Sequence, residues 1–254
     1  MRRAAVSVTF DNLGEASDLE RGWWPEDEPL GHHYSVTEAL PRVLGALDDA
    51  GLRATFFVEG LNTELYPETL VGLDAAGHEV ACHGWQHERW GALDPGTEHE
   101  RLQRSVDGMH ALGLRPVGFR PPGGALTAAT PDLLRELGFS YCSPALGAAT
   151  GGFPALPFRW ELLDAYHYLP HFADRRGQDA PLPPGRLRET LLDALDETAR
   201  DRGFLALVFH PFLANTDERV EVVRDVLARV HELVDAGTVT CAPMQERCQA
   251  PFLR

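Results

Sequence analysis

Two histidines, His83 and His87, stand four residues apart in HGWQHE, a spacing at which two neutral imidazoles can bind one metal ion. Asp11 and Asn12 add a carboxylate and a carboxamide, both oxygen donors to a hard cation. Arg120, Asp164 and His210 supply a guanidinium, a second carboxylate and a third imidazole. Each has an ordinary use when taken singly. Asp11 and Asn12 suit a turn, Arg120 a structural ion pair, Asp164 a cap, and His210 a strand end satisfied by backbone. A further pair, His167 and His171 in YHYLPH, has the same spacing, but Pro170 lies inside it and no acidic neighbour has a clear role. A surface or loop position is expected for both. Cys82 reads as a small buried apolar residue, and Trp23 and Trp24 as loop anchors packed on the core.

Position in the chain changes the weight of these groups. Residues 4–10 form an apolar, β-branched run of strand length, and 54–58, 78–82, 117–119, 139–142, 158–163, 204–209 and 238–241 read as further strands. Between them, 35–50, 67–76, 95–112, 131–137, 187–202 and 219–235 read as helices, several ended by a glycine such as Gly51, Gly77 or Gly113. This alternation implies an α/β fold of parallel strands and crossover helices, a barrel or a doubly wound sheet. No linker-like stretch or fixed-period repeat divides the chain, so residues 1–254 are expected to form a single domain. In such folds the C-terminal ends of the strands share one face, where active sites form. Asp11 and Asn12, His83 and His87, Arg120, Asp164 and His210 each follow a different expected strand. Five strand ends therefore converge.

Composition limits the partners. With 23 basic and 38 acidic side chains the formal charge is −15. Such a surface repels nucleic acid and anionic membranes, and disfavours strongly anionic substrates unless a local basic patch or a metal offsets the field. No apolar run reaches membrane-spanning length. The basic start Met1-Arg2-Arg3 leads into an apolar stretch too short for a signal peptide, so a cytoplasmic location is expected. Cys82, Cys142, Cys241 and Cys248 are scattered without a C-x-x-C pair and should be free thiols. Residues 12–34 and 175–184 read as loops. Specificity is expected to reside in 14–34 and 144–157.

The series TFDN (9–12), HGWQH (83–87), FRPPGG (119–124), RWELLD (159–164) and LVFH (207–210) resembles the ordered motifs of the polysaccharide deacetylase family, the carbohydrate esterase family 4 type. TFFVEG (55–60) and AGHEVACHG (76–84) resemble its connecting strands, and the likeness runs from the first strand to His210. The resemblance implies a distorted (β/α) barrel of seven or so parallel strands and a hydrolase of non-peptide C–N amide bonds. It implies a divalent metal, zinc foremost, held by Asn12, His83 and His87. It also implies Asp11 as the base, with Arg120 keeping it in place and ionised. The Gly123 N–H would stabilise the oxyanion, His210 would be the acid, and Asp164 would orient His210. Trp85 and Trp160, inside the matching motifs, are expected with Gly123 in the substrate pocket.

Two departures bear on this expectation. The family usually has an acidic residue where Asn12 stands, so metal affinity should fall or metal choice shift toward Co, Ni or Mn. Alternatively Asp11 ligates directly and another group, Glu15 or Glu88, takes the role of base. Gly123 stands where polymer-active members often carry an aromatic residue, which opens the pocket. HGWQHE, LPFRWELLDAYHY and FHPF are closer to the branch holding allantoinase-like and cyclic-imide hydrolases and cytoplasmic deacetylase-like proteins. The expected substrate is a small N-acyl compound, sugar-linked or cyclic. Ring opening of a cyclic amide or imide is the alternative, and a catalytically silent binding protein the third reading. Neither nucleic acid nor membrane is an expected partner, and a homo-oligomer is compatible with the sequence.

Overall fold

The computed structural model describes residues 3–248. The Met1-Arg2 start and the chain after Cys248, both counted within the expected single domain, lie outside the described residues. Seven strands form one wholly parallel sheet: β1 (Ala4–Asp11), β2 (Thr55–Val58), β3 (Glu79–Cys82), β4 (Gly118–Phe119), β5 (Tyr141–Cys142), β6 (Phe204–Phe209) and β7 (Val239–Cys241). Their spatial order is β5-β4-β3-β2-β1-β6, with β7 also pairing β1. β1 is buried at all eight positions, as befits a parallel strand covered on both faces. Its first half pairs with β7 (Ala4↔Val239 to Val6↔Cys241) and its last residues pair with β2 (Thr9↔Thr55 to Asp11↔Phe57), while β6 runs beside both halves. The sheet thus curls around β1 into an α/β half-barrel, in keeping with the expected distorted (β/α) barrel of seven or so parallel strands.

Helices Leu40–Asp49, Pro67–Ala75, Pro95–Ala111, Thr130–Glu136, Pro184–Asp201 and Asp217–Asp235 connect the strands. Helix Asp217–Asp235 shows why they pack: Val220, Val223, Leu227 and Val230 recur at helical spacing and are buried. Its start is fixed by Thr216, whose hydroxyl accepts from the Arg219 N–H. Among the described residues no helix is long and apolar enough to cross a membrane.

Two expected elements form differently. Residues 158–163 are not a continuous strand, because a 3₁₀ turn, Trp160–Leu162, interrupts them and only the single bridges Ala145↔Phe158 and Leu163↔Val208 remain. The segment therefore spans the gap between the β5 and β6 ends of the sheet. Across this turn Trp160 packs edge-on against Phe158, with ring centroids 5.1 Å apart. The helix expected over 35–50 opens with a π-helical turn, Ser35–Ala39, before regular helix at Leu40–Asp49. Pro41 at that junction has no N–H to give the ladder. A short helix at Ala16–Glu20 lies within the stretch 12–34 expected to be loop, and another at Ala173–Arg176 runs into the loop expected over 175–184.

Candidate active site

The parallel ladder carries the site residues past the last strand positions and sets them side by side. The His83 N–H donates to the Val58 carbonyl, the Arg120 N–H to Cys82, and the Ser143 N–H to Phe119, each at 2.8–3.0 Å. Side chains that follow neighbouring strands are thereby held about one strand spacing apart. Asp11, Asn12, His83, His87, Arg120 and His210 all line one cavity of about 650 Å³.

Arg120 is the pivot of the floor. It is 1% exposed, and its Nη1 donates to Asp11 at 2.6 Å and to the Thr9 hydroxyl at 2.9 Å. Its Nε and Nη2 donate to Ser143 Oγ at 3.2 and 2.9 Å, and its plane lies 4.1 Å over the Phe57 ring. The guanidinium is thus paired, bonded and stacked, as a buried cation must be. Arg120 holds Asp11 in place as expected, but it does not set its acidity alone. Burial raises the Asp11 pKa, and the opposing pull of Arg120 and His210 does not cancel it. Asp11 is therefore a better proton acceptor than an ordinary aspartate. Ser143 was not among the expected site residues. Its signal was its place, directly after the expected strand 139–142.

Asp164 grips His210 twice. Oδ1 lies 2.5 Å from His210 Nδ1, and Oδ2 accepts the His210 backbone N–H at 2.7 Å. Burial works against the imidazolium, yet Asp164, and behind it Asp11, outweighs it and raises the His210 pKa. The ring is held by Nδ1, so Nε2 is the nitrogen left to face a substrate.

His83 is set for lone-pair donation. His83 Nδ1 donates to the Arg120 carbonyl at 2.8 Å, which leaves Nε2 unprotonated in the neutral ring. Burial pushes His83 down to about 3 and His87 well below the usual range, so both are neutral. Their ring centroids are 5.1 Å apart, so the two rings do meet. Asn12 Oδ1 is buried with no hydrogen-bond partner. Asn12 and His87 both sit at positive φ, +60° and +68°, in the left-handed region that side chains other than glycine and asparagine rarely enter. Two neutral nitrogens and an orphaned amide oxygen fit a borderline divalent ion. Among the described residues no three His, Cys, Asp or Glu side chains are grouped so as to hold a metal ion, so the donor set depends on Asn12 beside the two histidines. His87 carries a further constraint: its Nδ1 lies 3.2 Å from Arg21 Nη2, and a guanidinium can only donate.

The remaining expected residues divide. Gly123 (φ +76°) and Trp160 line the cavity, and a Cβ on Gly123 would meet nothing within 4 Å, so the pocket is open there. Gly124 (φ +74°) is the demanding position, because a Cβ would come within 2.9 Å of Trp160. Trp85 is not brought to the cavity lining; it is buried, with Arg104 stacked 3.7 Å over its ring. Glu88 accepts the Trp85 and Gln86 N–H groups at 3.0 Å, and Glu15 accepts from Tyr66 Oη and the Gly31 N–H at 2.5 Å. Both carboxylates secure loops and neither lines the cavity. His167 is buried against the Glu161 carbonyl at 3.0 Å, whereas His171 lines the cavity, so this pair is split. Trp24 is half-buried, but Trp23, expected to anchor on the core, is 68% exposed at the cavity mouth.

Comparison with known proteins agrees with this fold. A peptidoglycan deacetylase-like protein of Gibberella zeae is 35% identical over 103 residues, 39% of this chain and 30% of its own. The peptidoglycan deacetylase of Helicobacter pylori is 34% identical over 118 residues, 46% of this chain and 40% of its own. The chain thus matches well under two thirds of the length of these curated relatives. Among solved structures, a Mycobacterium smegmatis protein assigned to the polysaccharide deacetylases superimposes with a TM-score of 0.84 at 30% identity, covering 98% of this chain and 90% of that one. PuuE allantoinase shares the fold, with a TM-score of 0.76 at 18% identity over the same shares. The sequence model of the polysaccharide deacetylases matches residues 2–142, more than half of the chain, and the chain belongs to that family.

Proposed function

We propose that the protein is a metal-dependent hydrolase that deacylates a small N-acyl compound. The observation that carries this reading is the pair of opposed, fully engaged dyads facing one cavity: Asp11 on Arg120, and His210 on Asp164. A divalent ion bound by Asn12, His83 and His87 would polarise the substrate carbonyl and acidify a water. Asp11, its basicity raised by burial, takes the proton of the attacking water. The Gly123 N–H steadies the oxyanion. His210, favoured as imidazolium by Asp164, gives a proton to the departing nitrogen. Arg120 keeps the Asp11 carboxylate aimed through the cycle. The absence of an aromatic wall at Gly123 favours a small molecule over a polymer strand.

Ring opening of a cyclic amide or imide needs the same groups, and the uncharged Asn12 donor favours it where the metal is weakly held. The two reactions differ in product, since ring opening yields one molecule and deacylation two. The test is zinc-loaded protein on a panel of N-acyl amines and cyclic imides, with products resolved by mass. Carboxylic acid release that chelator abolishes, and that His83→Ala lowers by about a thousandfold together with its zinc content, supports the proposal. Turnover that survives complete metal removal, or no turnover by protein shown to hold zinc, refutes it.

A further inference from the structure

The cavity mouth carries two guanidinium groups that the catalytic scheme does not use. Arg21 and Arg175 line the same cavity from opposite chain segments, one from the 14–34 stretch and one from helix Ala173–Arg176. Arg21 is bonded to Ser17 and approaches His87 Nδ1 at 3.2 Å. Its guanidinium lies 5.1 Å over the Trp23 ring, and that of Arg175 lies 4.6 Å over Trp160. Among the described residues neither arginine has a carboxylate partner, although twelve ion pairs engage other arginines of this acidic chain. A chain of net charge −15 offers acidic partners in excess, so leaving two cations on one rim is a built feature.

Stacking on tryptophan holds each guanidinium plane at a ring face and leaves its N–H edge available for an anion. The cavity lining around the two arginines carries Trp23, Trp160 and Phe172, with one carboxylate, Asp18, on the Arg21 side that forms no ion pair with either arginine. Arg21 reaches the His83–His87 pair directly, so an anion on it sits one side chain from the reacting centre. The overall negative field penalises a dianion more than a monoanion, which favours carboxylate over phosphate. We propose that Arg21 and Arg175 form a carboxylate-binding subsite, and that the substrate is an N-acyl compound bearing a carboxylate on the amine side, of the N-acyl amino acid or ureido acid class. The substrate class rests on the hydrolase reading, whereas the anion subsite itself stands apart from it.

The experiment measures binding by calorimetry on zinc-loaded protein, with N-acetylphenylalanine and its carboxamide as matched probes. Wild-type protein is expected to bind the acid about tenfold more tightly than the amide, the scale of a charge-assisted hydrogen bond in a partly desolvated site. That ratio should fall several-fold in Arg21→Gln and in Arg175→Gln, and approach one in the double variant. Arg159→Gln, an exposed arginine paired with Glu161, should retain it. Equal binding of acid and amide by wild-type protein overturns the subsite, as does a ratio that persists in the double variant or falls equally in Arg159→Gln. Steady-state kinetics on the same two probes separate the two readings. Acid release from both probes without preference leaves the hydrolase and removes the subsite. Preferred binding without any turnover leaves the subsite and removes the hydrolase.

Discussion

The floor of the cavity and its rim are built by different means. On the floor, Arg120, Asp11, Thr9 and Ser143 are buried, and the ladder fixes the backbone of their strand ends. On the rim, Trp23 is 68% exposed, Arg21 and Arg175 stack on tryptophans, and the residues come from short helices and irregular chain. A buried charged network tolerates little change, because each group removed strands another in a medium of low dielectric. An exposed aromatic rim tolerates much, since water replaces whatever is lost. The difference assigns the bond chemistry to the strand ends and the choice of substrate to the rim.

Removing Arg120 tests the floor and should have the largest effect. Arg120→Met keeps the bulk but leaves Asp11 without its partner. We expect a loss of about 3 kcal/mol at neutral pH, measured by denaturant unfolding, and activity down by at least about a thousandfold. The sign of the pH dependence is fixed. Asp11 without Arg120 has a folded pKa raised further above its unfolded value, so the deficit grows as pH rises from the ordinary aspartate range through that raised pKa. A variant as stable as the parent at pH 7 would mean that the floor is no more demanding than the rim.

Asp164→Asn removes the support of His210 while conserving shape, and its effect should be next in size. We expect activity to fall about a hundredfold. The raised His210 pKa contributes stability that is present below the unfolded histidine value and lost as pH rises through the folded one. In the variant this contribution disappears, and the alkaline limb of the pH–rate profile moves to lower pH. An alkaline limb that stays in place would show that His210 is not the acid.

Most of the floor could be read from the chain because each of its residues directly follows an apolar run of strand length. Asp11 follows 4–10, His83 follows 78–82, Arg120 follows 117–119 and His210 follows 204–209, and parallel pairing does the rest. Even Ser143 was accessible by that rule, although serine carries no chemical signal of its own. The segment 158–163 misled because its alternating large side chains suit a strand, whereas Trp160 takes its place against Gly124 only through a 3₁₀ turn. Tertiary packing decided that conformation. Trp85 misled for a related reason: it stands between the two histidines in sequence, but the fold of HGWQHE, held by Glu88, turns it under Arg104. The rim was the least legible part. Arg21, Trp23 and Arg175 have no periodicity and follow no strand, so only the folded chain brings them to one opening.

Trp23→Ala probes the rim and should have the smallest effect on the folded state. The side chain is mostly in water, so stability should change by no more than about 0.5 kcal/mol. Its indole nevertheless lies beneath Arg21 at 5.1 Å and borders the cavity, so it both orients the guanidinium and offers apolar surface to a bound molecule. Losing one exposed cation–π contact and part of an aromatic wall should weaken substrate binding by about fivefold. That loss should appear in KM, with kcat nearly unchanged, because the group touches neither Asp11 nor His210 and acts equally on ground and transition states. A fall in kcat comparable to that of Asp164→Asn would erase the distinction between floor and rim, since a solvent-exposed ring would then control the proton transfers of a buried network.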